Sequence, residues 1–389
     1  MNGKLVLSAL FVGIAALLAV FFGGLSAPRT AAYAYLAAFA YWVSIALGVL
    51  LFVMIIHASE ASWAIVLRRV AELMASVFPL LAIAVAPVLL WQDELYLWTK
   101  PLAFFSEHEA ELLQHKRFWL NTQGFVARSV VYVVVWVFFA ELLLWLSVRQ
   151  QTGRGHVIRA WGAVGIPFVG LTLTFAAFDW FMSLEPFWYS TIYGVYIFAG
   201  GFVAALAALV VVSWRLQHPA TPRRTPGPLA QALRPDHFYA LGRLLFAFVI
   251  FWAYIAFSQL LIVWMADLPA EVVWYQTRLA NGWGVVGLVL LIGHFALPFL
   301  VLLSWPLKRR PAVLAIPAMW MLLIHYVDIF WLIKPVLHPE GFRIHWMDPV
   351  AAVGLGALVL AWVGWRARGY PIVPEGDPML AASLRYSSQ

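Results

Sequence analysis

Along most of the chain, apolar residues come in long uninterrupted blocks separated by short polar connections, and nowhere do apolar and polar positions alternate with a period of two. A helix rises ~1.5 Å per residue, so about 20 mostly apolar residues cross the ~30 Å of a bilayer's hydrocarbon. Ten blocks reach that length, at 4–23, 31–57, 62–91, 119–148, 160–182, 187–215, 238–266, 272–304, 311–334 and 347–366. A closed barrel would need alternating strands, and none is present. The pattern therefore predicts an all-α polytopic membrane protein of about ten transmembrane helices. Lys4 at the head of the first block, ahead of its apolar core, and Leu25-Ser26-Ala27 behind it also have the shape of a secretory signal. The expectation is nevertheless a true span.

Composition agrees with the blocks. Hydrophobic residues make up 64% of the 389 positions and charged ones 11%, too little polar surface to cover a water-soluble core of this size. With no cysteine, the chain has no disulfide, thiolate-held iron–sulfur cluster, c-type haem attachment or cysteine zinc site of its own. The net charge of +7 resembles a nucleic-acid signal only until its carriers are placed. Arg149, Arg154 and Arg159 follow the fourth block; Arg215, Arg223, Arg224 and Arg234 the sixth; Lys308, Arg309 and Arg310 the eighth; Arg366 and Arg368 the tenth. The opposite connections carry Asp93, Glu94, Glu107, Glu109 and Glu111, then Asp267 and Glu271. The positive-inside rule predicts both termini in the cytoplasm. A connection rich in proline (Pro219, Pro222, Pro226, Pro228, Pro235) reads as a stiff linker. The polar tail from Tyr370, with three prolines, is expected along a partner or the cytoplasmic face.

The blocks carry an internal correspondence. Asp179 precedes Pro186 by seven residues and Asp328 precedes Pro335 by seven; Pro167 and Pro317 lie twelve and eleven residues upstream of those aspartates. Arg68 and Arg243 lie twenty-five and twenty-four residues before Asp93 and Asp267, each of which closely follows a tryptophan, Trp91 or Trp264. An offset of four spans keeps orientation, so the expectation is a parallel duplication. It divides the chain into a first helix (1–30), one four-helix bundle (31–182), a second (187–334), a tenth helix (347–366) and a tail (367–389).

Ionisable residues within the blocks are the candidate chemistry, since each costs about 2.5–3.5 kcal/mol near a bilayer's centre. Glu141, Asp179, His294, His325 and Asp328, with Thr174 and Tyr326, form a candidate proton pathway; Thr172 and Lys334 lie on the same spans. His325 and Asp328 are three apart and share a helix face, a spacing suited to a relay. Glu141 lies toward the cytoplasm, Asp179 and Asp328 toward the outside, and His294 between. Arg68, Glu72, Arg128 and Arg243 read as structural charges; Arg68 and Glu72, four apart, can neutralise each other, and Arg243 can snorkel. The structural alternative holds for the others too, because a buried aspartate can simply satisfy backbone freed by a proline. His294 and His325 also leave open a bis-histidine haem b. The aromatic load (21 Trp, 14 Tyr, 28 Phe) fits interfacial belts or a quinone pocket.

Three stretches are distinctive: Phe178-Asp179-Trp180-Phe181-Met182-Ser183-Leu184-Glu185-Pro186-Phe187-Trp188-Tyr189-Ser190-Thr191, Phe251-Trp252-Ala253-Tyr254-Ile255-Ala256-Phe257-Ser258-Gln259, and Gly376-Asp377-Pro378-Met379-Leu380 with Ser383-Leu384 following. Together they resemble the F subunit of bacterial alternative complex III, a relative of polysulfide-reductase-type, NrfD-like membrane subunits. The resemblance covers most of the chain and is strongest over 160–340. It implies a non-redox subunit of a quinol:cytochrome c oxidoreductase in the bacterial cytoplasmic membrane, associated with proton conduction. It also implies partners: a homologous ten-span subunit, an iron–sulfur subunit, cytochrome c subunits and, in some assemblies, a terminal oxidase. Haem c and iron–sulfur clusters would lie on those partners, and this chain would hold no metal or redox group, with quinol as a possible ligand. Of the candidate residues the motif carries over only Asp179. Two other readings stay open: a quinol-binding subunit, and an independent secondary transporter.

Overall fold

The computed structural model describes residues 3–149, 155–218 and 229–388. Arg154 and, in the proline-rich connection, Pro219, Pro222, Arg223, Arg224, Pro226 and Pro228 lie outside the described residues. Among those described, ten helices are long and apolar enough to cross a membrane: Gly3–Gly24, Pro28–Ala58, Ser62–Leu90, Thr122–Val148, His156–Leu184, Tyr193–Gln217, Pro235–Ala266, Trp283–Leu303, Pro311–Leu337 and Met347–Arg366. They are the first to tenth spans below. The chain is an all-α multi-pass membrane protein.

Two blocks are less regular than their hydropathy predicts. The third breaks into Ile65–Ala75, Phe78–Ala84 and Ala86–Leu90. Pro79 and Pro87 each sit in a first helical turn, where a missing N–H is tolerated, and end the helix before them. The eighth block, expected over 272–304, is two elements. A short helix, Pro269–Leu279, lies ahead of the span, and Asn281 and Gly282 (φ 48° and 87°) turn the chain between them. Consecutive left-handed residues cannot continue a helix, and glycine adopts that region freely.

The second and sixth spans are the most buried and form the centre. They cross where side chains are absent: a Cβ on Gly48 would lie 2.5 Å from the Gly201 carbonyl oxygen, and one on Gly201 2.6 Å from that of Ser44. Gly201→Leu is therefore expected to lower stability by about 1–3 kcal/mol or more through overpacking. Thermal melting in detergent measures it, and an unchanged midpoint would show that this crossing yields freely. Around the second span pack the third and fifth, with the fourth closing that ring; the seventh and ninth flank the sixth in the same way, with the eighth closing the other. The tenth span lies on the second, fixed by Trp42 Nε1 donating to the Ala352 carbonyl (2.9 Å). The first span lies on the tenth at Gly13 and Gly354 and turns Leu7, Phe11 and Phe22 outward.

The polar tail folds back on its own chain. Asp377 pairs with Arg68, and the Ser383 hydroxyl accepts from the Val66 N–H (3.3 Å) and donates to the Trp63 carbonyl (3.2 Å). His237 Nε2 meets the Ser383 carbonyl at 3.0 Å, and Arg309 donates to that of Ser388 (2.9 Å). The tail thus joins the third and seventh spans and the connection after the eighth, all on the arginine-rich face.

Candidate functional site

The two aspartates of the sequence correspondence occupy different chemical environments. Asp179, on the fifth span, is completely buried and fully paired. One carboxylate oxygen accepts from Trp119 Nε1 (2.8 Å) and Arg128 Nη2 (2.9 Å); the other accepts from Arg128 Nε (2.8 Å) and the Tyr132 hydroxyl (2.7 Å). The guanidinium lies 4.1 Å above the Trp119 ring. A bidentate arginine in low dielectric cancels the carboxylate's charge, and four donors fill its lone pairs. Asp179 was expected on a proton path and is instead a closed ion pair. Arg128, expected as structural, is its partner. The Thr174 hydroxyl donates to the Gly170 carbonyl of its own helix (2.9 Å).

Asp328, on the ninth span, is 1% exposed and has no arginine or lysine within ion-pair distance among the described residues. Its donors are neutral: the Tyr196 hydroxyl (2.6 Å) and Trp252 Nε1 (3.2 Å). Its charged-capable neighbour is His325 Nδ1, 4.0 Å away on the same helix face. His325 Nε2 meets Ser44 Oγ at 2.9 Å, and that hydroxyl donates to the Tyr41 carbonyl (2.9 Å). A neutral His325 with its proton on Nε2 donates to Ser44 and leaves Nδ1 free to accept. Nδ1 has no hydrogen-bond partner among the described residues and faces an Asp328 carboxylate oxygen at 4.0 Å, and in that tautomer the two are facing acceptors.

His294 completes the cluster. It lies in a π-helical turn, Leu291–Ala296, of the eighth span, and such turns re-aim a side chain by one register step. Its ring stacks on Trp252 (centroids 3.8 Å apart) and lies 6.4 Å from that of His325; neither ring nitrogen has a partner. One ligand-type atom each from His294, His325 and Asp328 lies within 4.8 Å of the other two. Counting ~1.5 Å per residue from the ends of their helices puts the group near mid-membrane. A haem between the histidines does not fit, since Trp252 covers one ring and neither histidine lines the adjoining cavity.

The remaining expected residues are elsewhere. Glu141, half-exposed, pairs with Arg366 of the tenth span (2.6 Å). Glu72 accepts from Ser147 and lies near His57, Arg68 and Arg69. Arg243 is exposed beside Tyr239. Tyr326 donates to the Asp348 carbonyl (3.0 Å), and Asp348 pairs with Lys334 (2.7 Å). A single path from Glu141 through His294 to Asp179 is thus not assembled: both acids lie on spans of the first ring, and His294, in the second, has no hydrogen-bond partner among the described residues to connect it to either. Sequence reasoning missed Tyr196, Trp252 and Ser44, which come from helices more than seventy residues from Asp328.

Beside the cluster is an apolar cavity of about 650 Å³, walled by the sixth to ninth spans and the short helix before the eighth. The seventh and eighth spans pack together over 291–303 and part toward the acidic face, where Tyr254, Phe257 and Leu288 at the opening point outward. Tyr196 and Trp252, the two donors to Asp328, form part of its wall. Gln259 also lines it, 5% exposed and with an unpartnered amide nitrogen. A smaller cavity, about 370 Å³, lies by Trp119 and Trp188 in the first ring. At its edge Lys116 donates to the Pro186 carbonyl (2.6 Å), and burial lowers its pKa from the ordinary lysine value.

This arrangement defines a polytopic α-helical membrane protein with an uncompensated acid–imidazole cluster at mid-membrane. No protein-family model matches the chain, and no curated protein matches it either.

Proposed function

We propose that this chain is the proton-conducting membrane subunit of a quinol-oxidising respiratory assembly of the alternative complex III type, with His294, His325 and Asp328 as its proton-exchanging group. The observation that carries this reading is the unpartnered His325 Nδ1 facing the Asp328 carboxylate at 4.0 Å, with no fixed cation among the described residues. A buried acceptor pair of this kind is stabilised by taking up one proton and releasing it when the surroundings change. The sequence resemblance supports the assembly, its haem c and iron–sulfur partners and a bacterial cytoplasmic membrane. The distribution of arginine supports cytoplasmic termini, so the acidic connections face outward. Under this reading the chain carries no electrons, and Asp179–Arg128 is scaffold.

The test uses native membrane vesicles energised with quinol. Asp328→Asn is expected to lower the protons moved per quinol oxidised while the assembled protein remains at its normal level. An unchanged ratio would overturn the proposal.

A second reading is favoured by the cavity. Its volume, its aromatic walls and its opening toward lipid suit a flat, lipid-borne quinol ring, with Gln259 and Tyr275 as polar contacts. A photoactivatable quinone should then label peptides containing Gln259 or Tyr275, and labelling confined to a partner subunit would exclude it.

A further inference from the structure

The cluster needs an outlet, and one acid near the acidic face is placed to serve. Glu185, in the connection after the fifth span, reaches across to the second ring and pairs with Arg278 of the short helix before the eighth span (2.7 Å). Arg278 is 1% exposed: it stacks on Trp274 at 3.8 Å and donates to the Leu332 carbonyl (2.7 Å) and the Trp274 carbonyl (3.2 Å). Glu185 is the wetter partner, with 22% of its side chain exposed. Tyr193, at the start of the sixth span, packs on Trp188 (ring centroids 5.7 Å apart), which stacks at 4.8 Å on the same Trp274 that carries Arg278. Tyr193, Tyr196 and Tyr275 all line the large cavity. Asp348, an acid at the same end, is closed off: it and Lys334 are at most 1% exposed and bind each other.

Resting on the proton-exchanging role of Asp328, we propose that Glu185 is the outer proton-exchange group of this chain, linked to Asp328 through the hydroxyls of Tyr196 and Tyr193. The transfer balances as a relay. Protonation of Asp328 turns the Tyr196 hydroxyl from donor to acceptor, and it takes the carboxyl proton as it gives its own to water in the cavity. Tyr193 repeats the exchange, the Glu185 carboxylate accepts a proton, and it releases one to the aqueous phase. No net charge stays on either tyrosine. Within the otherwise apolar cavity, the Tyr193 and Tyr275 hydroxyls and the unpartnered Gln259 amide nitrogen are the partners for such water. Arg278 is a positioning residue: it binds the Glu185 carboxylate while donating to the carbonyls of Trp274 and Leu332, two residues of the cavity wall.

The test is proton transfer in sealed vesicles of the purified protein, with the partners it retains, and a pH dye in the compartment facing the acidic connections. Glu185→Gln is expected to slow transfer by about tenfold, and added formate, a small mobile acid, to restore it. Tyr193→Phe, which keeps the ring and removes the hydroxyl, is expected to slow transfer without lowering the melting temperature. Wild-type rates in both variants would overturn the outlet. Slowing of Glu185→Gln that formate does not relieve would do so as well, since it makes Glu185 a structural link between the halves. Wild-type transfer in Asp328→Asn would instead overturn the underlying reading, whatever Glu185 does.

Discussion

Arg128→Met is expected to destabilise the protein by about 3–5 kcal/mol, the cost of leaving one member of a buried ion pair without its partner. The loss should appear as a lower yield of folded protein from membranes and a lower melting temperature in detergent. Asp179 would keep only the Trp119 and Tyr132 donors and would have to hold its charge in low dielectric or bind a proton. The double variant Arg128→Met with Asp179→Leu removes both charges and is expected to recover most of the loss, because an apolar pair in place of a buried ion pair is often neutral or better. A double variant as unstable as the single one would show that Arg128 acts through its packing on Trp119 and not through the charge.

The second ring offers the control. Asp328 already lacks a fixed cation, so Asp328→Asn preserves shape, keeps an acceptor for Tyr196 and strands no partner charge. Its expected effect falls on proton movement and not on folding. Corresponding positions on the fifth and ninth spans thus give opposite outcomes, and the difference traces to Arg128 on the fourth span against His294 on the eighth.

How much of this was legible in the sequence follows from the range of each interaction. Bilayer thickness sets block length locally, so all ten spans could be read from hydropathy. The break before Trp283 could not, because Asn281-Gly282 is too brief a polar interruption to divide an apolar run by composition. His325 and Asp328 were legible as a pair because three residues of helix bring them to one face. Their surroundings were not: Ser44 arrives from the second span, Tyr196 from the sixth and Trp252 from the seventh, and no local pattern specifies which helices meet. The correspondence between Asp179 and Asp328 suggested equal roles, since spacing reports backbone position. It carries no information on whether an arginine or a histidine faces the acid. The tail was expected against a partner or the cytoplasmic face; its docking on Arg68 depends on a pairing over three hundred residues long.

Glu72→Gln is the other substitution with a large expected effect, again about 3–5 kcal/mol, at the arginine-rich end of the third span. Two cations and two acids meet there out of water. Arg68 Nε and Arg69 Nη1 each approach Glu72 at 3.3 Å, Arg68 also pairs with Asp377 of the tail, and Ser147 donates to Glu72 at 2.8 Å. The charges balance only with both acids present. Removing either leaves a buried excess of one positive charge, so Asp377→Asn is expected to lower the melting temperature in the same direction. Adding Arg69→Met to Glu72→Gln restores the balance and should return much of the stability, while Arg69→Met alone should be destabilising. That reversal separates charge compensation from packing: if Arg69→Met worsens Glu72→Gln by as much as it worsens the wild type, the network is not held together by its charges. If the cycle closes as expected, the tail is an electrostatic component of the membrane domain, and its removal should lower stability as much as the Asp377 substitution does.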